Sequence, residues 1–172
     1  MLVLVMGAKG GVGTTSVALH LARAAQGIGL DLTTDGQLAA RLERPTWTLV
    51  DVALRSAQQQ RMVDQAVKRA VSLLWTPVCA LSNISDEAWD FVRAVADRVL
   101  VVADGGIEPV GEVGCLADVA IIVSAAGSDV AQFHTQRLGR QFPNARVLEL
   151  DLGQSRTETR DAARELAAEL FE

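Results

Sequence analysis

Short, continuously apolar runs alternate with longer segments of helical periodicity along the whole of this chain. Such runs predict strands that are covered on both faces, as in parallel sheets. Six strands are predicted, over residues 1–6, 28–32, 71–75, 99–103, 119–123 and 146–150. Helices are predicted over residues 15–25, 37–43, 58–70, 86–97, 129–141 and 158–171.

Alternation of strands and helices specifies parallel strands that are joined by right-handed helical crossovers. We therefore predict an α/β fold of three layers, in which a mostly parallel sheet of about six strands carries helices on both faces. The 172 residues contain no internal repeat, linker or low-complexity tract. The prediction is one compact domain over residues 1–172, a length sufficient to bury a substantial core.

The loop after the first strand, GAKGGVGTT (residues 7–15), is close to the phosphate-binding pattern G-x-x-x-x-G-K-[ST]. In such loops, successive backbone N–H groups converge on phosphate oxygens at a helix N-terminus, and glycines allow the close approach. Threonine stands at position 14, where the pattern has lysine, and a lysine occurs five residues earlier as Lys9. An ordinary glycine-rich turn is the alternative. The position of the loop between a buried strand and a helix favours phosphate binding.

The segment AKGGVGTTSVALHLA resembles the deviant Walker A segment of the MinD/ParA superfamily of P-loop ATPases, usually written K-G-G-x-G-K-[ST]. The resemblance implies a P-loop NTPase-like sheet, a ligand of ATP or ADP with Mg²⁺, and a homodimer. It implies that Lys9 reaches the phosphates of the partner subunit and that the Thr15 hydroxyl binds magnesium. The form KGGVGTT is most similar to the CpaE/TadZ branch, which is associated with pilus assembly. The implied nucleotide-binding residues are Lys9, Gly10, Gly11, Val12, Gly13, Thr14, Thr15 and Ser16.

Two further segments extend the resemblance. GLDLTTDGQLAARL is similar to the switch I segment of the superfamily, where Asp31 matches an aspartate near the magnesium water shell. Thr33 stands where a second aspartate positions the attacking water. DRVLVVADGG resembles a Walker B strand that ends in Asp104, and Asp51 in WTLVDVAL is a competing candidate. The implied metal ligands, partly through water, are Thr15, Asp31 and Asp104, and the catalytic candidates are Lys9 and Asp31.

Two departures from the superfamily pattern bear on hydrolysis. Thr14 lacks the positive charge that neutralises the β and γ oxygens, and Thr33 lacks a water-orienting carboxylate. Because the loss of one such group costs on the order of 10²–10³ in rate, we predict nucleotide binding with slow or no hydrolysis. Three functions stay open: a nucleotide-binding protein of spatial positioning or pilus-type assembly, a pseudo-ATPase scaffold that binds no nucleotide, and an active partition-type ATPase.

Several classes of function are disfavoured by what the sequence lacks. The net charge is −5 and no run of Lys or Arg occurs, which argues against DNA binding. Cys79, Cys115, His20 and His134 have no companions at ligand spacing, which argues against a zinc site or a Ser-His-Asp triad. The first apolar run carries no basic residue before it, so we predict a buried strand and a cytoplasmic protein.

The last predicted helix is amphipathic, and its polar face is mainly acidic. A helix that binds a membrane surface needs Lys and Arg towards anionic lipid. We therefore expect this helix to pack its leucine face onto the sheet, and we expect no direct membrane binding.

Overall fold

The computed structural model of the chain describes residues 1–33, 36–41, 45–55, 58–68, 73–75, 85–106, 116–125, 133, 136–137, 140, 144–152 and 156–171. The strands in these ranges are β1 (Leu2–Gly7), β2 (Ile28–Asp31), β3 (Pro45–Thr48), β4 (Leu73–Trp75), β5 (Val101–Asp104), β6 (Val119–Ala125) and β7 (Arg146–Leu152). The helices are α1 (Thr14–Ala24), α2 (Gln37–Arg41), α3 (Leu49–Ala53), α4 (Gln59–Lys68), α5 (Asp86–Ala96) and α6 (Arg156–Phe171).

The strands form one sheet in the order β3-β4-β2-β5-β1-β6-β7, and every pairing in it is parallel. Strands β2, β5, β1, β6 and β7 make up most of the sheet, and the short strands β3 and β4 extend one edge. β1 lies between β5 and β6, and all six of its residues are buried. The predicted α/β fold with a parallel sheet is confirmed, and the described ranges contain one strand more than the six expected.

Successive residues of β1 point to opposite faces of the sheet, as the pleat requires. Leu2, Leu4 and Met6 belong to a buried cluster that includes apolar residues of α3, α4 and α5. Val3 and Val5 belong to a second cluster with α1, α2 and α6. Helices therefore cover both faces, and the predicted three layers are present.

The predicted elements agree with the structure to within two residues at their described ends. Strand β3 and helix α3 were not predicted, because residues 45–53 contain a proline and an apolar run too short to separate strand from helix by its period. The helix predicted over residues 129–141 lies largely outside the described residues. Cys79, Cys115 and His134 also lie outside them.

Helix α6 buries the apolar face that the sequence predicted, with Ala163, Leu166 and Ala167 less than a tenth exposed. This face packs chiefly against α1 and also contacts β7, so the sheet is only part of its partner surface. Within the described ranges, no helix combines the length and apolar character that crossing a membrane requires.

Candidate functional site

The carboxyl ends of parallel strands meet at one edge of the sheet, which is where open α/β sheets bind ligands. At this edge β1 ends at Gly7, β2 ends at Asp31 and β5 ends at Asp104. Asp31 and Asp104 are register partners on neighbouring strands, and Asp104 in turn pairs with Val5. The fold therefore brings the glycine loop and both predicted carboxylates to the same edge.

Two backbone hydrogen bonds tie the base of the glycine loop to its neighbours. The Gly7 N–H donates to the Gly106 carbonyl at 2.7 Å, and the Ala8 N–H donates to the Val123 carbonyl at 2.8 Å. The segment after β5 is thus in direct contact with the start of the loop. The base of the loop is held from both sides, by the segment after β5 and by strand β6.

Two glycines give the loop its shape. Gly11 has φ +79° and Gly13, the N-cap of α1, has φ +98°, both in the left-handed region that favours glycine. A Cβ on Gly11 would meet nothing within 4 Å, and residues 9–11 are exposed. The backbone of the loop therefore lies open in front of the α1 N-terminus, which is the geometry that admits a phosphate group.

The side chain of Thr14 lies across the base of this loop. A Cβ on Gly7 would lie 2.5 Å from Thr14 Oγ1 and 3.1 Å from the Lys9 carbonyl oxygen. Only glycine therefore fits at position 7 without a shift. The missing Cβ leaves the space that the Thr14 hydroxyl occupies.

The first turn of α1 combines a buried and a partly buried hydroxyl. Thr15 is 8% exposed, and Ser16 Oγ accepts a hydrogen bond of 2.8 Å from Arg41 Nη1. The first turn contains no acidic residue. Arg41 lies at the end of α2, and nothing in the sequence pattern pointed to it as a neighbour of the loop.

Asp31 is fully buried and anchors the connection between β2 and α2. Its Oδ1 accepts hydrogen bonds from the N–H and the hydroxyl of Thr33, at 2.9 and 2.6 Å. Its Oδ2 accepts one from the Ala39 N–H at 2.7 Å. The carboxylate predicted to lie near magnesium therefore also holds its own loop in place.

Asp104 is fully buried at the end of β5. Its Oδ1 accepts a hydrogen bond of 3.2 Å from the Gly106 N–H, and its carbonyl accepts one of 2.9 Å from the Leu32 N–H. A Cβ on Gly106 would lie 3.6 Å from Thr33 Cγ2. The segments that follow β2 and β5 thus contact each other beside the glycine loop.

Asp51, the competing Walker B candidate, lies elsewhere. It is in the first turn of α3, where its Oδ2 accepts the Thr48 N–H and its own N–H donates to Thr48 Oγ1, both at 3.0 Å. Both Thr48 donors lower the pKa of the Asp51 carboxyl, the backbone N–H most strongly. This is a capping box, and the sequence T-L-V-D over residues 48–51 carries its pattern.

Strands β4, β2 and β5 separate β3 from β1, so Asp51 is remote from the loop.

The described part of the chain has no group of three or more His, Cys, Asp or Glu side chains that could hold a metal ion by themselves. Magnesium differs from zinc here, because it keeps several waters and is held by one or two protein oxygens together with substrate phosphates. Thr15 follows β1, and Asp31 and Asp104 end β2 and β5 at the same edge of the sheet, so the chain supplies oxygens of this type there.

No family model matches this sequence, and no curated protein matches it. Solved structures do match its fold. A ParA family ATPase from Chlorobium tepidum TLS superposes with a TM-score of 0.66 at 13% identity, over 97% of this chain and 98% of that chain. A plasmid partition protein from Borrelia burgdorferi gives 0.55 at 11% identity, over 96% and 83%. Cobyrinic acid a,c-diamide synthase from Mycobacterium smegmatis, with bound ATP analog and magnesium, gives 0.55 at 18%, over 97% and 81%. The chain therefore has the P-loop NTPase-like fold of these proteins.

Proposed function

We propose that this chain binds ATP or ADP with Mg²⁺ at the glycine loop, hydrolyses it slowly or not at all, and acts in spatial positioning or assembly. The observation that carries the proposal is the open loop at the α1 N-terminus, with left-handed glycines at positions 11 and 13. A structure of the same fold contains an ATP analog and magnesium, which supports the choice of ligand.

Each residue of the site has a role in this proposal. Backbone N–H groups of residues 10–16 hold the phosphates, since they lie at the positive end of the α1 dipole. Thr15 supplies a hydroxyl to the magnesium ion that neutralises the phosphates. Asp104 and Asp31 accept hydrogen bonds from water in the magnesium shell, because these two residues end adjacent strands at this edge of the sheet.

The low turnover follows from two positions. Thr14 places a neutral hydroxyl where a lysine would place a charge, and Thr33 directs its hydroxyl to Asp31 Oδ1. Neither side chain orients a water for attack on the γ-phosphate. The threonine at position 14 also supports a role like that of the CpaE/TadZ branch, with protein partners in a positioning or pilus-type assembly.

Thermal melting with and without ATP–Mg²⁺ tests the proposal. Ligand at 100 times its Kd stabilises the folded state by about 2.7 kcal/mol, which raises the Tm of a chain of this length by roughly 5–10 °C. We expect that rise with ATP or ADP plus Mg²⁺, and a smaller one when EDTA removes the metal. An unchanged Tm at millimolar nucleotide would instead favour a scaffold that binds none. Rapid phosphate release would favour an active partition-type ATPase.

We also propose a nucleotide-dependent homodimer, in which Lys9 reaches the phosphates held by the partner subunit. Lys9 is exposed on the open side of the loop, which supports this role. In sedimentation velocity, ATP–Mg²⁺ is expected to shift the wild type towards a dimer, and the Lys9→Ala variant is expected to stay a monomer. Lys68→Ala, which removes an exposed lysine from α4 on the other face of the sheet, is the control and should dimerise. Equal sedimentation of all three proteins, with and without nucleotide, contradicts the proposal.

A further inference from the structure

Arg41 links α2 to the first turn of α1. It is the last residue of α2, and its Nη1 donates a hydrogen bond of 2.8 Å to Ser16 Oγ, across 25 residues of sequence. Ser16 directly follows Thr15, the residue assigned to magnesium. A side chain from a separate helix therefore reaches the part of the loop where nucleotide phosphates would lie.

The charge at this point matters because threonine stands at position 14, where the phosphate-binding pattern has lysine. Thr14 is neutral, and the first turn of α1 has no acidic residue that would hold Arg41 away from an anion. Arginine stays protonated at any physiological pH and carries five N–H donors, of which the contact with Ser16 uses one. Arg41 therefore has donors left for a second acceptor.

The contact with Ser16 places the Arg41 guanidinium beside the turn that would bind a phosphate. A phosphate oxygen that accepts a backbone N–H of the first turn lies about 2.9 Å from that nitrogen. Arg41 Nη1 lies 2.8 Å from the Oγ of Ser16, a residue of the same turn, and a change of side-chain rotamer can turn the guanidinium towards that oxygen.

We propose that Arg41 supplies from α2 the positive charge that Thr14 does not supply from the loop, and that it binds the nucleotide phosphates. This inference rests on the nucleotide binding proposed above. The same proposal concerns the order of α2. Two hydrogen bonds already anchor this helix, from the Ala39 N–H to Asp31 and from the Gln37 N–H to Thr33. A phosphate that binds Arg41 fixes the far end of the same short helix, so nucleotide binding orders α2.

Calorimetric titration of Mg–ADP and Mg–ATP into Arg41 variants tests the assignment. Arg41→Ala is expected to weaken both nucleotides by about 10- to 100-fold, the usual range for the loss of a hydrogen bond to a charged group. Arg41→Lys keeps the charge and should recover part of the affinity. Arg61→Ala is the control, because Arg61 is exposed on α4 on the opposite face of the sheet, and it should bind as the wild type does.

Hydrogen exchange gives a second measurement that does not depend on activity. The amides of Ala39 and Ala40 should exchange more slowly when ADP–Mg²⁺ binds the wild type, and this protection should be absent in Arg41→Ala at matched saturation. If the wild type binds nucleotide and Arg41→Ala shows the same affinity and the same protection, the role of Arg41 is wrong and the proposed nucleotide binding stands. Failure of the wild type to bind would overturn this role and the proposed function together.

Discussion

Replacing Thr14 by lysine is expected to tighten the binding of ATP–Mg²⁺ by about 10- to 100-fold, the range for a charge-assisted hydrogen bond. The side chain at position 14 lies against Gly7, since a Cβ on Gly7 would be 2.5 Å from Thr14 Oγ1. The ammonium group then faces the phosphates. Thr14→Gln, which has a similar reach and no charge, is the matched control and should gain little.

The rate of hydrolysis is expected to need a second change. In Thr14→Lys alone, turnover should stay low, because Thr33 still donates its hydroxyl to Asp31. Adding Thr33→Asp supplies a carboxylate that can orient water, and it should raise phosphate release by about 100-fold over Thr14→Lys. The new carboxylate lies beside Asp31, so the added lysine and bound magnesium are needed to offset the repulsion between the two.

A phosphate-release assay at saturating ATP–Mg²⁺ measures these rates. Thr14→Lys/Thr33→Asn is the control for the double variant, since asparagine at position 33 has the shape of aspartate without its charge. If the wild type already releases phosphate as fast as Thr14→Lys/Thr33→Asp, then Thr14 and Thr33 are not what limits the rate of hydrolysis.

Gly7→Ala is expected to reduce nucleotide affinity by about 100-fold or more. The added methyl group would lie 2.5 Å from Thr14 Oγ1 and 3.1 Å from the Lys9 carbonyl oxygen. Thr14 can rotate, but the Lys9 carbonyl belongs to the backbone, so the backbone of the loop has to shift by a few tenths of an ångström. Overpacking of this kind also costs about 1–3 kcal/mol of folding free energy.

Gly27→Ala separates the effect on binding from the effect on stability. A Cβ there would lie 2.7 Å from the Leu100 carbonyl oxygen, so a similar loss of stability is expected. Gly27 precedes β2, at the edge of the sheet opposite the loop, and its substitution should leave nucleotide affinity unchanged. Urea unfolding and nucleotide titration of both variants give the comparison. Equal affinities in the two variants would show that the shape of the loop does not matter for binding.

The sequence predicted the central part of the fold because its signals there are local. The continuous apolar run of residues 1–6, followed at once by glycines and a helical segment, specifies a buried strand, a turn and a helix. The signals fail at residues 45–53, where a short apolar run suits either a strand or a helix. There the Thr48–Asp51 capping box determines that a helix begins at Leu49.

The sequence named Asp31, Asp104 and the glycine loop, which the fold brings to one edge of the sheet, but it did not predict the contacts that these residues make. Asp31 was predicted near magnesium, but its bonds to Thr33 and Ala39 depend on how the β2–α2 connection folds back. Arg41 was missed altogether, because its contact with Ser16 depends on the packing of α1 against α2 and leaves no pattern in the sequence. Side-chain contacts between elements distant in sequence are fixed by tertiary structure, which periodicity does not encode.

Nucleotide binding by the glycine loop is the central claim, and calorimetric titration of ADP–Mg²⁺ into the wild-type protein tests it most directly. We expect one site per chain with a Kd on the order of micromolar, an unchanged Kd in Gly27→Ala, and a Kd that rises by about 100-fold or more in Gly7→Ala. Absence of binding heat at millimolar ADP and ATP, for a wild-type protein that is folded, would contradict it.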